Sequence, residues 1–394
     1  FFDRAIFPEF LSSRMDESST ALLAAANNPV STRRSAMTSA QQPRCRDLGI
    51  AIGPDAPGPD NAITDVPGVR VGHVTLITGE GPLRIGQGPV RTGVTAILPP
   101  GDNWFRKPVE AGAFVFNGAG TTAGLSLIDE FGRLETPILL TNTLSVGAVY
   151  EGIVQYMVES IFRPRGDVPW FNPVVGETSD AYLNDIGGLH VRPEHAVEAI
   201  RCATSGPVAE GCVGAGTGTS AFGFKAGIGS SSRTLEIGGQ RATIGVLVQS
   251  NFGGRLTIAG VPMSDLEPQP PAPPHTGSSI MIVVATDLPL SNRLLNRVAK
   301  RATLGLARTG SSGGHGSGDY ILAFSTTYRQ EGDMLGIRLA LSDNEGEIDP
   351  VFQATADATE EAILNSLFQA ERMVGRDGNA REKLPIDRVK ELLD

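Results

Sequence analysis

The chain has 394 residues, of which 40% are hydrophobic and 19% are charged, and its net charge is −10 at pH 7. This is the composition of an ordinary globular protein, and the negative charge argues against a nucleic-acid-binding surface, which needs clustered Lys and Arg. No run of about eighteen apolar residues occurs, so we expect no membrane span, and without a signal-like N-terminus we expect a cytoplasmic protein.

The first half of the chain begins with an irregular segment. Residues 1–46 are rich in Ser, Ala, Arg, Asn and Gln without sustained periodicity, which predicts a flexible N-terminal extension with a short helix at 18–26. Beyond it, apolar runs bounded by Gly and Pro predict strands at 94–98, 113–116 and 137–140. Helices are predicted at 146–161 and 195–204, and Glu177 falls in a predicted loop or helix start within 173–185.

Glycine and proline mark the middle of the chain. The segment 211–233 is the richest in glycine, but no phosphate-binding glycine motif follows a clear strand in it, so a nucleotide site is disfavoured. A strand is predicted at 243–249. The proline-rich run at 267–274 lacks backbone donors for a sheet interior, and we predict an exposed connection there.

A strand with two serines at its start follows the proline run. Residues 280–286 are almost wholly apolar, which predicts a strand buried on both faces, with Ser278 and Ser279 at its edge. The remaining chain predicts a helix from Ser291 to Gly310, a strand at 320–325, an amphipathic helix at 355–374 and a short helix after Pro385. Mixed strands and helices without a strict βαβ rhythm favour a layered α+β sandwich over a doubly wound sheet.

A serine at a strand edge needs a base before it can act as a nucleophile. One arrangement is a Ser-His-Asp triad, although no serine lies in a G-x-S-x-G setting; its candidates are His73, His190, His195, His275 and His315. In the other, the chain breaks before a serine, whose new α-amino group, with a pKa of about 7.7–8.0, is the base. The residues themselves leave both open, and a bland loop end is a third interpretation.

Several motifs point to a known family. The segments SIMIVVATDLPL (279–290), RATLGLARTG (301–310), GSGD (316–319) and AFST (323–326) resemble the self-processing aminopeptidases of the DmpA type, the L-aminopeptidase/D-esterase-amidases and β-peptidyl aminopeptidases of peptidase family S58. Upstream, NAITDVPGVRVGH (61–73), TNT (141–143), ETSD (177–180), FGFKAGIGSSSR (222–233) and VQSNFG (248–253) are similar to that family too. The resemblance covers roughly 46–375 in unbroken order.

The resemblance implies a four-layer αββα sandwich, similar to N-terminal-nucleophile hydrolases but differently connected. It also implies one catalytic domain that cuts itself into an α-chain part (47–278) and a β-chain part (279–394), with the chain pairs forming a homo-oligomer, usually a tetramer. The expected activity is release of N-terminal residues from short peptides, amides or esters. No metal or other cofactor is expected. The three cysteines (Cys45, Cys202 and Cys212) are expected to be buried free thiols, with a Cys202–Cys212 pair in an oxidising compartment as the alternative.

Residue by residue, the family's nucleophile falls on Ser279, its second serine and acidic partner on Ser317 and Asp319, and its oxyanion-hole asparagine on Asn251. Glu177 matches the acid that binds the substrate's ammonium group. The chain has Ser278 where the family more often has Gly or Asn, which leaves a cut before Ser278 open beside the cut before Ser279.

Other interpretations remain for these residues and for the whole chain. Asn251 suits a turn, Ser317 and Asp319 suit loop caps, and Glu177 suits a helix start. Ser179 lies where family members carry a pocket-lining aromatic residue, for which Tyr182 is a substitute. An acyltransferase of the ornithine acetyltransferase type and an uncleaved, non-catalytic binding protein are the alternative functions.

Overall fold

The computed structural model describes residues 42–273, 277–329 and 344–394. Most of the predicted N-terminal extension, with its helix at 18–26, lies outside the described residues, as does His275. Residues 42–46 belong to the folded body. The Arg44 guanidinium forms an ion pair of 2.8 Å with Glu210 and donates to the carbonyl of Ser230, and Cys45 is buried.

The strands and helices of the described residues follow in chain order. The strands are β1 (Arg70–Thr78), β2 (Val90–Leu98), β3 (Val109–Gly118), β4 (Thr122–Ala123), β5 (Arg133–Leu134), β6 (Ile138–Asn142), β7 (Val174–Thr178), β8 (Ser220–Ala221), β9 (Phe224–Lys225), β10 (Ile228–Ile237), β11 (Gln240–Asn251), β12 (Thr257–Ile258), β13 (Val261–Pro262), β14 (Ser278–Thr286), β15 (Ser317–Arg329), β16 (Met373–Val374) and β17 (Ala380–Arg381). The helices are α1 (Leu125–Phe131), α2 (Val146–Tyr156), which continues as a π-helical segment (Met157–Phe162), α3 (Pro193–Arg201), α4 (Asn292–Arg308), α5 (Glu345–Phe368) and α6 (Ile386–Leu393).

Two sheets form the centre of the fold. The first has the strand order β1-β2-β6-β7-β4, and the second has the order β10-β11-β14-β15-β3-β5. Apolar side chains from both sheets, such as Leu140 and Val283, meet in one buried cluster between them. A second cluster packs α4 and α5 on the outer face of the six-stranded sheet, and a third packs α2 and α3 on the outer face of the five-stranded sheet. This is the predicted αββα sandwich.

Strand β14 lies in the middle of the larger sheet, as its sequence predicts. Ile280 and Ile282 point into the cluster with α4 and α5, whereas Met281 and Val283 point into the cluster between the sheets. Because successive side chains of a strand alternate between faces, a strand that is covered on both sides needs an unbroken apolar run. The prediction of a strand buried on both faces is confirmed.

Three predictions need correction. Residues 174–178 form β7, so Glu177 lies in a strand and not in a loop or helix start. The helix predicted as amphipathic at 355–374 is α5, which begins at Glu345 and ends at Phe368. It is buried on most sides because it packs against both α4 and the sheet. The hydroxyls of Thr355 and Thr359 donate to the carbonyls four residues earlier. All three cysteines are free, but Cys202, at the C-terminal end of α3, is exposed and Cys212 is half-buried.

The other predicted elements are present with shifted ends, among them the helices at 146–161, 195–204 and 291–310. Across the three described ranges, no helix combines the length and the apolar composition that crossing a membrane requires.

Candidate active site

Polar residues from three neighbouring strands meet where β14 begins. Ser278 lies opposite Ser317 of the parallel strand β15, and Ser279 lies opposite Gly318. On the other side, Ser279 lies opposite Asn251, the last residue of the antiparallel strand β11. Sheet register therefore brings together four polar residues, Asn251, Ser278, Ser279 and Ser317, of which the first and last are 66 positions apart in the chain.

A short hydrogen-bonded relay runs from Ser278 to Asp319. The Oγ atoms of Ser278 and Ser317 are 3.4 Å apart, and Ser317 Oγ donates to Asp319 Oδ1 at 2.6 Å. Asp319 is only 1% exposed, and its Oδ2 is buried without a hydrogen bond of normal geometry among the described residues, although the Ile280 N–H lies near this carboxyl group. Burial raises the pKa of Asp319 above its usual value because the charged form loses its hydration.

Ser279 points away from this relay. Its Oγ donates to the carbonyl oxygen of Ser278 at 2.6 Å, and its side chain is buried. Since neighbouring strand residues face opposite sides, Ser279 shares the face of Met281, and Ser278 shares the face of Ile280. In the uncut chain Ser278, and not Ser279, is therefore the serine next to Ser317.

Asn251 is held with its amide in a defined orientation. Its Oδ1 accepts a hydrogen bond of 3.2 Å from the Ser220 N–H, so the NH₂ group is turned the other way as a donor. Directly opposite residues of an antiparallel pair share a face with Cβ atoms about 4.5–5.5 Å apart. The Asn251 amide therefore lies on the same face as the Ser279 hydroxyl.

A cavity of about 510 Å³ opens at this end of the sheet, and Ser278, Ser317 and Asn251 lie in its wall. The exposed proline-rich connection forms another part of the wall, so its prediction as an exposed segment is confirmed. Ser179 and Tyr182 also line the cavity. Cavities of this volume are typical of small-molecule sites.

Glu177 is buried and is absent from the described lining of the cavity. Its Oε1 accepts from the Thr121 N–H at 2.8 Å, and its Oε2 accepts a short hydrogen bond from the Thr143 hydroxyl. Burial raises the pKa of Glu177, and a side chain added at Gly120 would come within 2.9 Å of its Oε1. The absence of a side chain at Gly120 thus lets the backbone pack close to this carboxylate.

A family model described as peptidase family S58 matches residues 61–381.

The chain belongs to peptidase family S58.

Relatives extend this match over nearly the whole chain. It is 43% identical to a beta-peptidyl aminopeptidase of Sphingosinicella microcystinivorans over 376 residues, which cover 90% of this chain and 93% of the relative. Among solved structures, a beta-aminopeptidase from a Burkholderia species is 41% identical with a TM-score of 0.80, covering 89% of this chain and 98% of that one. An L-aminopeptidase D-Ala-esterase/amidase from Ochrobactrum anthropi is 39% identical with a TM-score of 0.81, again covering 89% and 98%, and it is described as a prototype serine aminopeptidase with a variant of the Ntn-hydrolase fold.

The comparisons confirm the resemblance predicted from the motifs, together with the αββα fold class. As an S58 peptidase with this fold, the chain is a self-processing serine aminopeptidase.

Four of the five histidines are in described residues, and none of them bonds a cavity serine. His73 contacts Thr95, His190 contacts Asp185, and the His195 ring accepts from the Arg192 N–H. Of these four, only His315 lines the cavity. A Ser-His-Asp triad has no support in this S58 peptidase.

The glycine-rich segment packs backbone against backbone. A side chain at Gly227 would come within 1.9 Å of the Gly211 carbonyl oxygen, and one at Gly216 within 2.4 Å of the Ile228 nitrogen. These glycines serve close approach of chain segments, which explains why they match no phosphate-binding motif.

Two further polar residues belong to the site: Asn117, which follows a predicted strand, and Arg381, which gave no signal in the sequence. Asn117 on β3 donates to the Ser317 carbonyl and, at 3.1 Å, to the Gly314 carbonyl, and so holds the loop before β15. Arg381 lines the cavity although it lies near the end of the chain. Both residues reach the site through contacts between distant parts of the chain, which local sequence patterns do not show.

Proposed function

We propose that Ser279 is the nucleophile of this self-cleaving serine aminopeptidase, which releases N-terminal residues from short peptides, amides or esters. The observation that carries the proposal is the unpaired Asp319 Oδ2, which lies buried beside the start of β14. An unsatisfied buried carboxylate oxygen is unfavourable unless a donor arrives. A new ammonium group at residue 279 is such a donor.

The first step is the cut between Ser278 and Ser279. The Ser279 hydroxyl attacks the carbonyl carbon of Ser278, whose oxygen it already contacts at 2.6 Å. The C–N bond breaks, the nitrogen of Ser279 takes up the proton, and an ester links Ser278 to Ser279 Oγ. Water then hydrolyses the ester, which leaves a carboxylate on Ser278 and a free amine on Ser279.

The freed amine is the general base of the aminopeptidase reaction. By register it lies at the strand start next to Ser317 and Asp319, whose carboxylate orients it. It takes the proton from Ser279 Oγ as that oxygen attacks the substrate's acyl carbon, and it returns a proton to the leaving amine. Water hydrolyses the acyl-enzyme in the same way. The usual α-amine pKa of about 7.7–8.0 suits this role near neutral pH.

Asn251 stabilises the oxyanion of each tetrahedral intermediate. Its amide shares a face with Ser279, and the Ser220 N–H keeps its donor end toward that face. Such a donor contributes about 2.7–4 kcal/mol to the transition state in comparable sites.

Glu177 is proposed to bind the substrate's ammonium group. Its burial beside Gly120 favours pairing with a cation, because a buried carboxylate gains most from a neutralising partner. This contact makes the enzyme select chain ends over internal peptide bonds. Since the relatives are beta-peptidyl aminopeptidases and a beta-aminopeptidase, β-amino acids are the first N-terminal residues to try.

Three further properties of the chain stay predictions. They are the division into an α chain at 47–278 and a β chain at 279–394, the tetramer of chain pairs and the cytoplasmic location.

Hydrolysis of an aminoacyl amide, measured beside acetyl transfer to glutamate, tests the reaction. Aminopeptidase activity predicts release of ammonia from the amide and no transfer. Transfer without hydrolysis would support the acyltransferase alternative. A single full-length band of 41.4 kDa on a denaturing gel after long incubation would support the uncleaved binding protein.

A further inference from the structure

Arg381 is a buried arginine that stacks on the Tyr182 ring but has no hydrogen-bond acceptor among the described residues. It is 2% exposed, and among the described residues it makes no side-chain hydrogen bond or ion pair; its Nε is buried and unsatisfied. The other buried arginines differ. Arg233 pairs with Glu361 at 2.7 Å, and Arg91 donates to four backbone carbonyls. Burying a guanidinium without a hydrogen-bond acceptor costs folding free energy, so Arg381 is a candidate for binding an acceptor supplied by a ligand.

Arg381 lies in the wall of the candidate active site. Arg381 lines the 510 Å³ cavity that also contains Ser278 and Ser317, and its guanidinium carbon stacks 4.1 Å from the centre of the Tyr182 ring. No aspartate or glutamate is among the described residues that line this cavity, and no other arginine or lysine is. Among the described residues, Arg381 is therefore the one side chain of the cavity wall with a fixed positive charge, and no carboxylate of the described wall faces it.

Arg381 is held rigidly. It lies on β17, opposite Met373 of β16, and this hairpin is tied to the turn that carries Tyr182: Asn379 Nδ2 donates to the Tyr182 carbonyl at 2.9 Å, and Arg376 Nε donates to the Ala181 carbonyl at 2.7 Å. Burial lowers the pKa of Arg381 because the charged guanidinium loses its hydration, and Tyr182 opposes this shift. An anion bound in the cavity would stabilise the charged guanidinium in place of the lost water. A pre-positioned, planar guanidinium is suited to two-pronged binding of a carboxylate.

We propose that Arg381 binds the C-terminal carboxylate of short peptide substrates and so makes the enzyme prefer di- and tripeptides with a free carboxylate over the same peptides with a neutral end. The inference rests on the proposed aminopeptidase function and deepens it. The scissile bond lies at the serine end of the cavity, and the carboxylate lies at the Arg381 end. Extended peptides gain about 3.3–3.6 Å per residue, so only short substrates place their carboxylate inside one cavity.

The test uses one dipeptide that the wild-type enzyme cleaves, as the free acid and as its C-terminal amide. The processed full-length enzyme, Arg381→Met, Arg381→Lys and the control Arg372→Met are compared by KM and kcat. Arg372 lies at the start of the same hairpin region but is exposed, pairs with Glu382 and does not line the cavity. It therefore controls for loss of one positive charge.

We expect the wild type to have the lower KM for the acid. Arg381→Met should raise KM for the acid about ten- to hundred-fold, which is the loss expected when one charge-assisted hydrogen bond is removed. It should leave kcat for the acid, and both KM and kcat for the amide, within about twofold of the wild-type values. Arg381→Lys should lose less, and Arg372→Met should change neither substrate. Equal losses on acid and amide would show a structural role and overturn the inference, as would a wild type that does not favour the acid.

The two levels of the proposal fail differently. If the wild type cleaves the amide but ignores the carboxylate, only the role of Arg381 is refuted. If a processed enzyme cleaves no member of a panel of dipeptides and aminoacyl amides, the aminopeptidase function is refuted and this inference with it. The two-band pattern on a denaturing gel confirms folding of each variant, and Arg381→Lys carries the test if the methionine variant is not processed.

Discussion

Separate replacement of the two adjacent serines decides which peptide bond the chain breaks. Ser279→Ala removes the attacking oxygen, so we expect no cut at all. Ser278→Ala removes only the contact between Ser278 Oγ and Ser317 Oγ, which at 3.4 Å is longer than a normal O–H···O bond. A hydrogen bond contributes about 0.5–1.5 kcal/mol net, so the rate of cutting should fall by no more than about tenfold.

The assay is a time course on a denaturing gel, followed by intact mass and N-terminal sequencing of the smaller fragment. For the wild type we expect a β chain that begins at Ser279, and for Ser278→Ala the same first residue. The reasoning is refuted if Ser279→Ala is still cut, or if Ser278→Ala stays whole. In the second case the Ser278–Ser317–Asp319 relay would be the cutting apparatus, and the smaller fragment of the wild type would be one serine longer.

Three other predictions follow from the site and its surroundings. Asn251→Ala should lower kcat about 10²–10³-fold per processed chain, and Asn251→Asp, which keeps the acceptor for the Ser220 N–H but has no amide donor, should lower it as well; an active aspartate variant would contradict the oxyanion role. Burial raises the pKa of Asp180 from its ordinary 3.8 to about 7, so the folded chain keeps a proton that the unfolded chain releases. The free energy of unfolding should therefore fall as pH rises from 3.8 to about 7, by up to about 1.4 kcal/mol per pH unit. Denaturant midpoints measured on uncleavable Ser279→Ala protein should show this fall, and the additional replacement Asp180→Asn should make it less steep. An unchanged slope in the Asp180→Asn protein would refute the prediction. Since serine and its own amine perform the proposed chemistry, prolonged chelation with EDTA should leave the rate unchanged, and loss of activity restored by a divalent metal would contradict that chemistry.

Much of the larger sheet could be read from local sequence. The run from Ile280 to Thr286 predicts a strand buried on both faces because every side chain in it is apolar or small. The helical spacing of Leu294, Leu295 and Val298 predicts α4 for an equally local reason, since one stripe of a helix must cover the sheet. The amphipathic prediction for α5 was wrong because burial on most sides comes from neighbours that are distant in the chain.

The site divides in the same way. By itself, the sequence determined the family, the small polar residues at the strand ends and the offsets of Ser317 and Asp319 from Ser279, because these are order and spacing along one chain. Only the tertiary structure decided that Ser278 lies opposite Ser317 in the uncut chain and that Ser279 lies opposite Asn251. A shift of one residue in strand register would move each side chain to the other face of the sheet. The tertiary structure also decided that Glu177 is buried in a strand and that Arg381 enters the cavity, because burial and missing partners belong to the packed molecule and not to any local pattern.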